Sequence, residues 1–418
     1  MPAGVYIHVP FCKSRCSYCD FATDVYRNDE AVERYLRAVL TELEDRKPKT
    51  GDRLSLPDPN SVLSPQSSVL PAGRGRSDSV HSPQPSVLPA RGGLVDTIYF
   101  GGGTPSLLNP GQLERILKAV HERFEISEDR EITVEMNPAT VTLGQLEQFR
   151  AMGVNRASFG VQTFNDRSLK LLARGHDADD ARSTYKTLRK AGFENISFDL
   201  IAGLPHQTID DWKANLEEAV SMSPEHISLY LLEIHEATPL AEQVRSGRQP
   251  LPDEELAAEM YELMLERLEK AGYRQYEISN FCKEGFESRH NLKYWDLDPV
   301  IGFGVSSHSF DGGRRWVNVR DTMAYVRTVE CGDSPVVEIE ELPEKQLKAE
   351  FTFLKLRLTK GLDLKEYRSR FGSDLTEEFG PEIAEFRELG LVELTESDVM
   401  RLTQKGRLYS NEVFGVFV

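Results

Sequence analysis

Cysteine is scarce in this chain. Five thiols in 418 residues, three of them crowded together, cannot form the framework of spaced pairs that staples a small secreted scaffold. Long apolar runs are missing too, and none approaches the ~20 residues of a membrane-spanning helix. Positive charge is in deficit: 50 Lys and Arg against 67 Asp and Glu leave a net charge of −17. That balance argues against a general nucleic-acid binder, which needs a basic face. The first ten residues, MPAGVYIHVP, lack the basic and apolar regions of a signal peptide. Together with the cysteine usage, this points to a reducing, cytoplasmic setting.

What is present is ordinary globular material, with 39% hydrophobic and 28% charged residues. The length suffices for one large core and a second small one. Three of the five cysteines, Cys12, Cys16 and Cys19, stand within FCKSRCSYCDF at spacing C-x3-C-x2-C. Thiolates gathered in a short loop hold a metal or an iron–sulfur cluster. A closed structural site takes four protein ligands, and three leave one coordination position open. Two occupants fit: a [4Fe–4S] cube whose fourth iron takes a chelating ligand, or a structural Cys3His zinc site completed by His8. Tyr18 and Phe21 are placed to shield a cluster from water. Cys282 and Cys331 stand in no motif and read as structural.

Alternating segments such as GVYIHV, each followed by a helical period, recur along the chain. VDTIYFGGG precedes PGQLERILKAVHERF, and EITVEMNP precedes TLGQLEQFRAMG. NRASFGVQ precedes helical stretches ending at Gly192, and NISFDLIAGLP precedes TIDDWKANLEEAVSM. HISLYLLEIH precedes a long helix from Asp253 to Gly272. Six βα units predict an α/β fold with a parallel sheet, closed into a partial (β/α)6 barrel over residues 1–272. Glu135 with Asn137, Ser158 with Gly160 and Gln162, Ser197 with Asp199, and Ser228 with Tyr230 each share one strand face. Polar residues there predict a barrel that encloses a polar ligand, because a packed barrel fills its interior with branched aliphatics. Near copies, SPQSSVLPA and SPQPSVLPA, mark residues 48–93 as a low-complexity insertion expected to be disordered. Residues 273–343 read as a connecting region. Residues 344–418 read as a small winged-helix-like accessory domain, whose balanced charges favour packing on the barrel over binding DNA.

The ordered set C-x3-C-x2-C, GGGTP, VEMNP, SFGVQ, LLARGH and DLIAGLP resembles the radical-SAM enzymes, in the group that resembles anaerobic coproporphyrinogen III oxidase. The resemblance covers nearly all of the chain outside the insertion. It implies a [4Fe–4S] cluster on Cys12, Cys16 and Cys19, with exchangeable S-adenosylmethionine on the fourth iron. It also implies contacts to that molecule from Tyr6, Tyr18, Gly102, Gly103, Thr104, Glu135, Gln162, Arg174 and Asp199. Glu135 suits ribose hydroxyls, and the planar fork of Arg174 suits a carboxylate. The glycine run would approach the methionyl ammonium.

Two branches of the group differ in function. The oxidase branch carries a further cysteine just after the third ligand and a long segment before the first strand. This chain has Asp20 and Phe21 after Cys19, and few residues before Val5. RHNLKYW, residues 289–295, is similar to the HNxxYW motif of HemW-type haem chaperones. There His290 would offer an imidazole to haem iron, with Asn291, Tyr294 and Trp295 beside the porphyrin. The expectation is a haem chaperone that transfers its cargo to an acceptor protein, binding no nucleic acid and spanning no membrane. The alternative is oxidative decarboxylation of coproporphyrinogen III.

Overall fold

The computed structural model describes residues 1–45 and 93–418. The insertion expected at 48–93 lies outside them, Gly93 excepted. Six βα units occur in the expected order. β1 (Ala3–Val9) leads to α1 (Asp29–Asp45), β2 (Leu94–Gly102) to α2 (Pro110–Arg123), and β3 (Glu125–Met136) to α3 (Leu143–Ala151). β4 (Arg156–Gln162) leads to α4 (Asp166–Leu171) and α5 (Ala178–Lys190), and β5 (Ile196–Ala202) to α6 (Ile209–Met222). β6 (His226–Leu231) leads to α7 (Pro239–Arg245), which the periodicity did not predict, and to α8 (Glu254–Lys270).

Local chemistry sets the helix starts. Asn109 and Gln112 form a reciprocal capping box ahead of α2, with Pro110 at the first helical position. Asp177 with Asp180 and Thr208 with Asp211 do the same for α5 and α6. Thr238 caps α7, which also opens on a proline.

The six strands lie side by side in chain order and are all parallel. Residues 273–343, expected only to connect, extend this sheet at both edges. β7 (Arg274–Gln275) and β8 (Asn280–Cys282) add antiparallel strands beyond β6. After α9 (Arg289–Trp295), β9 (Val300–Phe303) pairs parallel with β1. β10 (His308–Phe310), β11 (Arg314–Asn318) and, after α10 (Thr322–Glu330), β12 (Val336–Glu341) continue outward. The twelve strands run in the order β12-β11-β10-β9-β1-β2-β3-β4-β5-β6-β8-β7. The barrel is therefore open.

Strand parity divides the sheet's two faces. Val5, Ile7, Val9, Ile98, Phe100, Ile132, Val134, Ala157, Phe159, Ile196, Phe198, Ile227 and Leu229 are all at most 2% exposed and share one core with the helices. Burying each of these larger side chains contributes about 1.5–3 kcal/mol. The alternate positions carry Tyr6, Tyr99, Thr133, Glu135, Arg156, Ser158, Asp199, Ser228 and Tyr230, and these face the barrel interior. The polar interior expected from the sequence is thus the inner wall of the barrel.

From α11 (Glu344–Arg357) onward the chain forms a second core around Phe351, Leu356, Tyr367, Ile383, Met400 and Val413. It holds short helices and a three-stranded antiparallel sheet of Leu362–Asp363, Val392–Leu394 and Val399–Leu402. Leu297, just after α9, is buried in this core, so the accessory unit is docked on the barrel. Lys355 pairs with Asp296 at 2.7 Å and Arg357 with the fully buried Glu277 at 2.9 Å.

Candidate functional site

The cysteine loop opens directly after β1, at the C-terminal end of the parallel strands. Phe11 and Cys12 pair in parallel with Asp24 and Val25, which closes the loop at its base. The amide and hydroxyl of Ser17 donate to the carbonyls of Leu172 and Leu171 at 2.9 and 3.1 Å, and the Ser17 carbonyl accepts from Leu240 at 2.8 Å. The loop is thus tied to the C-terminal end of α4 and to α7. The amides of Gly103 and Thr104 donate to Val9 and Phe11, both at 2.8 Å. A Cβ on Gly102, whose φ is +109°, would lie 2.6 Å from the His8 ring, and one on Gly103 would lie 2.6 Å from the Pro10 backbone. The glycine run is demanded by this close passage of β2 beside the loop.

Cys12, Cys16 and Cys19 are free and partly buried. Burial pushes the Cys12 thiol up to about 11, against a hydrogen bond from Thr104, and it raises Cys19 as well. Ligation by a metal centre is what deprotonates such thiols. Both nitrogens of His8 are engaged, Nδ1 with the Tyr6 hydroxyl at 3.2 Å and Nε2 with the Ala22 carbonyl at 2.9 Å. His8 therefore aims no nitrogen at the thiols, which removes the fourth ligand of the Cys3His reading. Among the described residues no three His, Cys, Asp or Glu side chains converge on one metal-ion position. Three thiols suit a cluster, in which each iron takes one thiolate. Phe21, expected to shield this loop, is 67% exposed. Cys282 is buried opposite His226 near the other end of the strands, and Cys331 is an exposed helix cap, not a core residue.

Arg174 joins the site together. Its Nη2 donates to Asn137 Oδ1 and the Gly160 carbonyl, both at 2.7 Å. Its Nη1 lies 3.5 Å from Cys16 Sγ and 3.4 Å from the Tyr18 hydroxyl. Asn137 donates to Thr104 at 2.8 Å, and Thr104 donates to Cys12 Sγ at 3.5 Å. Arg174 Nε is buried with no partner among the described residues. An orphaned guanidinium N–H beside three thiols fits a carboxylate-bearing group bound at the cluster. Asn137, the centre of this chain of contacts, was read from the sequence only as an inward-facing residue.

Deeper in the barrel, Glu135 accepts from the Tyr99 hydroxyl at 2.8 Å and from the Gly102 amide at 3.0 Å. Burial lifts its carboxyl to about 7, and these two donors offset part of that rise. Asp199 faces the same interior, is likewise raised by burial, and accepts from Ser228. Gln162 ends β4 with a left-handed φ of +67°. Tyr6, Tyr99 and His290 form a triangle of stacked rings, with Tyr99 and His290 5.0 Å apart and Tyr6 at 6.1 and 6.4 Å from them.

The HNLKYW segment is helix α9, capped by Ser288. It lies against the opposite end of the barrel, the foot. Glu131 of β3 accepts the amides of Arg289 and His290 at 3.2 and 3.1 Å. Lys293 pairs with Asp96 at 2.7 Å and donates to the Pro2 carbonyl at 2.8 Å. His290 is buried, with Nδ1 2.9 Å from the Thr97 hydroxyl and Nε2 3.2 Å from the Tyr294 hydroxyl. Burial, then the charges of Lys293 and Arg156, hold its imidazole down to about 3. The expectation that His290, Tyr294 and Trp295 flank one porphyrin needs correction. His290 and Tyr294 are one turn apart and share a face, whereas Trp295 lies under the Arg357 guanidinium of the accessory unit at 4.4 Å. Asn291 is half-buried in the first turn of the helix.

Comparison with known proteins places the chain. Residues 86–219 match the model of the radical SAM superfamily, and residues 342–409 that of the HemN C-terminal domain. The chain is 35% identical over 416 residues to the heme chaperone HemW of Bacillus subtilis, covering 99% of each protein. It is 33% identical to HemW of Mycobacterium tuberculosis (strain H37Rv), over 99% of this chain and 94% of that protein. The structure of coproporphyrinogen III oxidase (HemN) from Escherichia coli, a radical SAM enzyme, superposes with a TM-score of 0.79. That match covers 100% of this chain and 90% of that one at 22% identity, so it speaks for the fold. The chain belongs to the HemW family of radical-SAM proteins.

Proposed function

We propose that this protein binds haem and passes it to an acceptor protein in the cytoplasm, while carrying a [4Fe–4S] cluster on Cys12, Cys16 and Cys19. The observation that carries this reading is the placement of the two motifs in one open barrel, the three-thiol loop at the C-terminal mouth and the HNLKYW helix at the foot. S-adenosylmethionine would complete the fourth iron. Such a cluster, when bound and reduced, supplies an electron to a sulfonium. Arg174, already joined to Cys16, would hold the methionine carboxylate with its free Nε. Tyr6, Tyr18, Gly102, Gly103, Thr104, Gln162 and Asp199 would line the rest of that site, with Glu135 on the ribose. His290 would reach haem iron through Nε2 by giving up its contact with the Tyr294 hydroxyl.

The test is a haem titration of the reconstituted protein beside an anaerobic assay with coproporphyrinogen III, S-adenosylmethionine and a reductant. The expected result is a Soret band that saturates, with no carbon dioxide released. His290→Ala should weaken haem binding or shift the band while iron and sulfide stay at the parent level. Release of carbon dioxide above trace would overturn the chaperone reading in favour of decarboxylation. Unchanged haem binding in the variant would move the haem site away from α9.

A further inference from the structure

Arg156 opens β4 and is only 1% exposed, yet it forms no ion pair and no side-chain hydrogen bond among the described residues. Its Nε is buried without any partner. On the adjacent strand, Thr133 is paired in register with Arg156, so the two side chains stand together on the inner face. The Thr133 hydroxyl is also buried and unpartnered. Two neighbouring donors on one wall therefore lack an acceptor.

The acidic groups of the interior do not supply one. Glu135, one pleat further along β3 and about 6.6 Å away by strand rise, is committed to Tyr99 and Gly102. Asp199 takes the Ser228 hydroxyl. Glu131, one pleat towards the foot, takes the two amides of α9. Glu135 and Asp199 soften the cost of burying a cation, but none of the three carboxylates touches it. A buried guanidinium left without an oxyanion is costly, and so is an unpaired buried hydroxyl. Tyr99, in register with Thr133 on the next strand, stacks on His290 at 5.0 Å, and His226 of β6 reaches the Tyr276 hydroxyl at 2.8 Å. The interior is open nearby, since Tyr230 and Tyr294 are 42% and 40% exposed.

We infer that Arg156 and Thr133 form a carboxylate-binding subsite in the foot of the barrel, which takes a carboxylate side chain of a planar tetrapyrrole. The identification of the tetrapyrrole rests on the haem reading above. The carboxylate chemistry rests on the two orphaned donors, because a guanidinium fork with a hydroxyl beside it matches the two oxygens of that group. This subsite is separate from Arg174, which serves the cysteine loop.

The experiment uses the full chain with its cluster reconstituted, and four probes: haem, haem dimethyl ester, coproporphyrin III and coproporphyrin III tetramethyl ester. The parent should bind each free acid more tightly than its ester. Arg156→Met should weaken binding of the free acids about tenfold or more and leave the esters nearly unaffected. Thr133→Val is the second variant. Its lost hydroxyl has no partner, so its melting temperature should equal or exceed the parent's while discrimination between acid and ester shrinks. Equal discrimination in the parent and in Thr133→Val and Arg156→Met would overturn the subsite and leave haem binding standing. Arg156-dependent binding of coproporphyrin III without any binding of haem would overturn the haem reading and leave the subsite standing. Binding of no probe would overturn both.

Discussion

The guanidinium of Arg174 lies 3.5 Å from the sulfur of Cys16 and 2.7 Å from Asn137, so one cation spans the cysteine loop and the end of β3. The same side chain keeps an unpartnered Nε. Removing it should weaken S-adenosylmethionine binding by about 1.5–3 kcal/mol, roughly ten- to a hundredfold, as for a lost charge-assisted contact. Isothermal titration of Arg174→Ala checks this. Equal affinity in variant and parent would assign the residue to loop architecture alone.

Cluster assembly should depend on Cys12, Cys16 and Cys19 and on neither remaining cysteine. The two others lie in a strand paired on both sides near the foot and on a surface helix end. After anaerobic reconstitution, single Ala variants in the loop should lose most of the iron, sulfide and visible absorbance. Cys282→Ala and Cys331→Ala should retain them. Loss of iron in Cys282→Ala with an intact Cys12→Ala would reverse the assignment.

Glu135 should impose a pH dependence on stability. Burial raises its folded carboxyl to about 7, so the folded state holds a proton that the unfolded chain releases at ordinary carboxylate pH. Between those two values stability falls as pH rises, and above about pH 7 the full penalty is present. Its size is on the order of 3 kcal/mol. Melting temperatures at pH 5.5 and pH 8 for parent and Glu135→Gln measure it. The variant should lose less between the two pH values, and parallel curves would refute the assignment.

The docking of the accessory unit should hinge on Arg357. It pairs with Glu277, which is fully buried, and covers Trp295. Arg357→Ala strands a buried carboxylate, for which about 3–5 kcal/mol is expected. Adding Glu277→Gln should recover much of the loss in thermal unfolding. No recovery would mean that packing on Trp295, and not the charge, is what Arg357 supplies.

Much of the site was legible in local sequence. Cysteine spacing, the glycine run and strand parity are properties of segments a few residues long, and the geometry of a strand makes alternate residues share a face wherever the strand ends up. That is why Glu135, Asp199 and Tyr230 could be placed on the inner wall before any contact was known. Asn137 was placed with them, but its role as the bridge from Arg174 to Thr104 was not, since that needs two other strands' ends beside it. His8 illustrates the limit in the other direction. Its nearness to the cysteines in sequence suggested a ligand, whereas its nitrogens turn to Tyr6 and Ala22.

The sequence by itself determined the six βα units, their polar inner face and the three-thiol loop, because periodicity, capping and thiol spacing act over one or two turns of chain. Tertiary structure alone decided where HNLKYW goes. His290 meets Thr97 across 193 residues of chain, and Trp295 is turned to Arg357 by the docking of a separate core. It also decided that Arg156 and Thr133 stand together without a partner. Such juxtapositions depend on which strands become neighbours and which segment seals the barrel, and those are set by the packing of the whole chain.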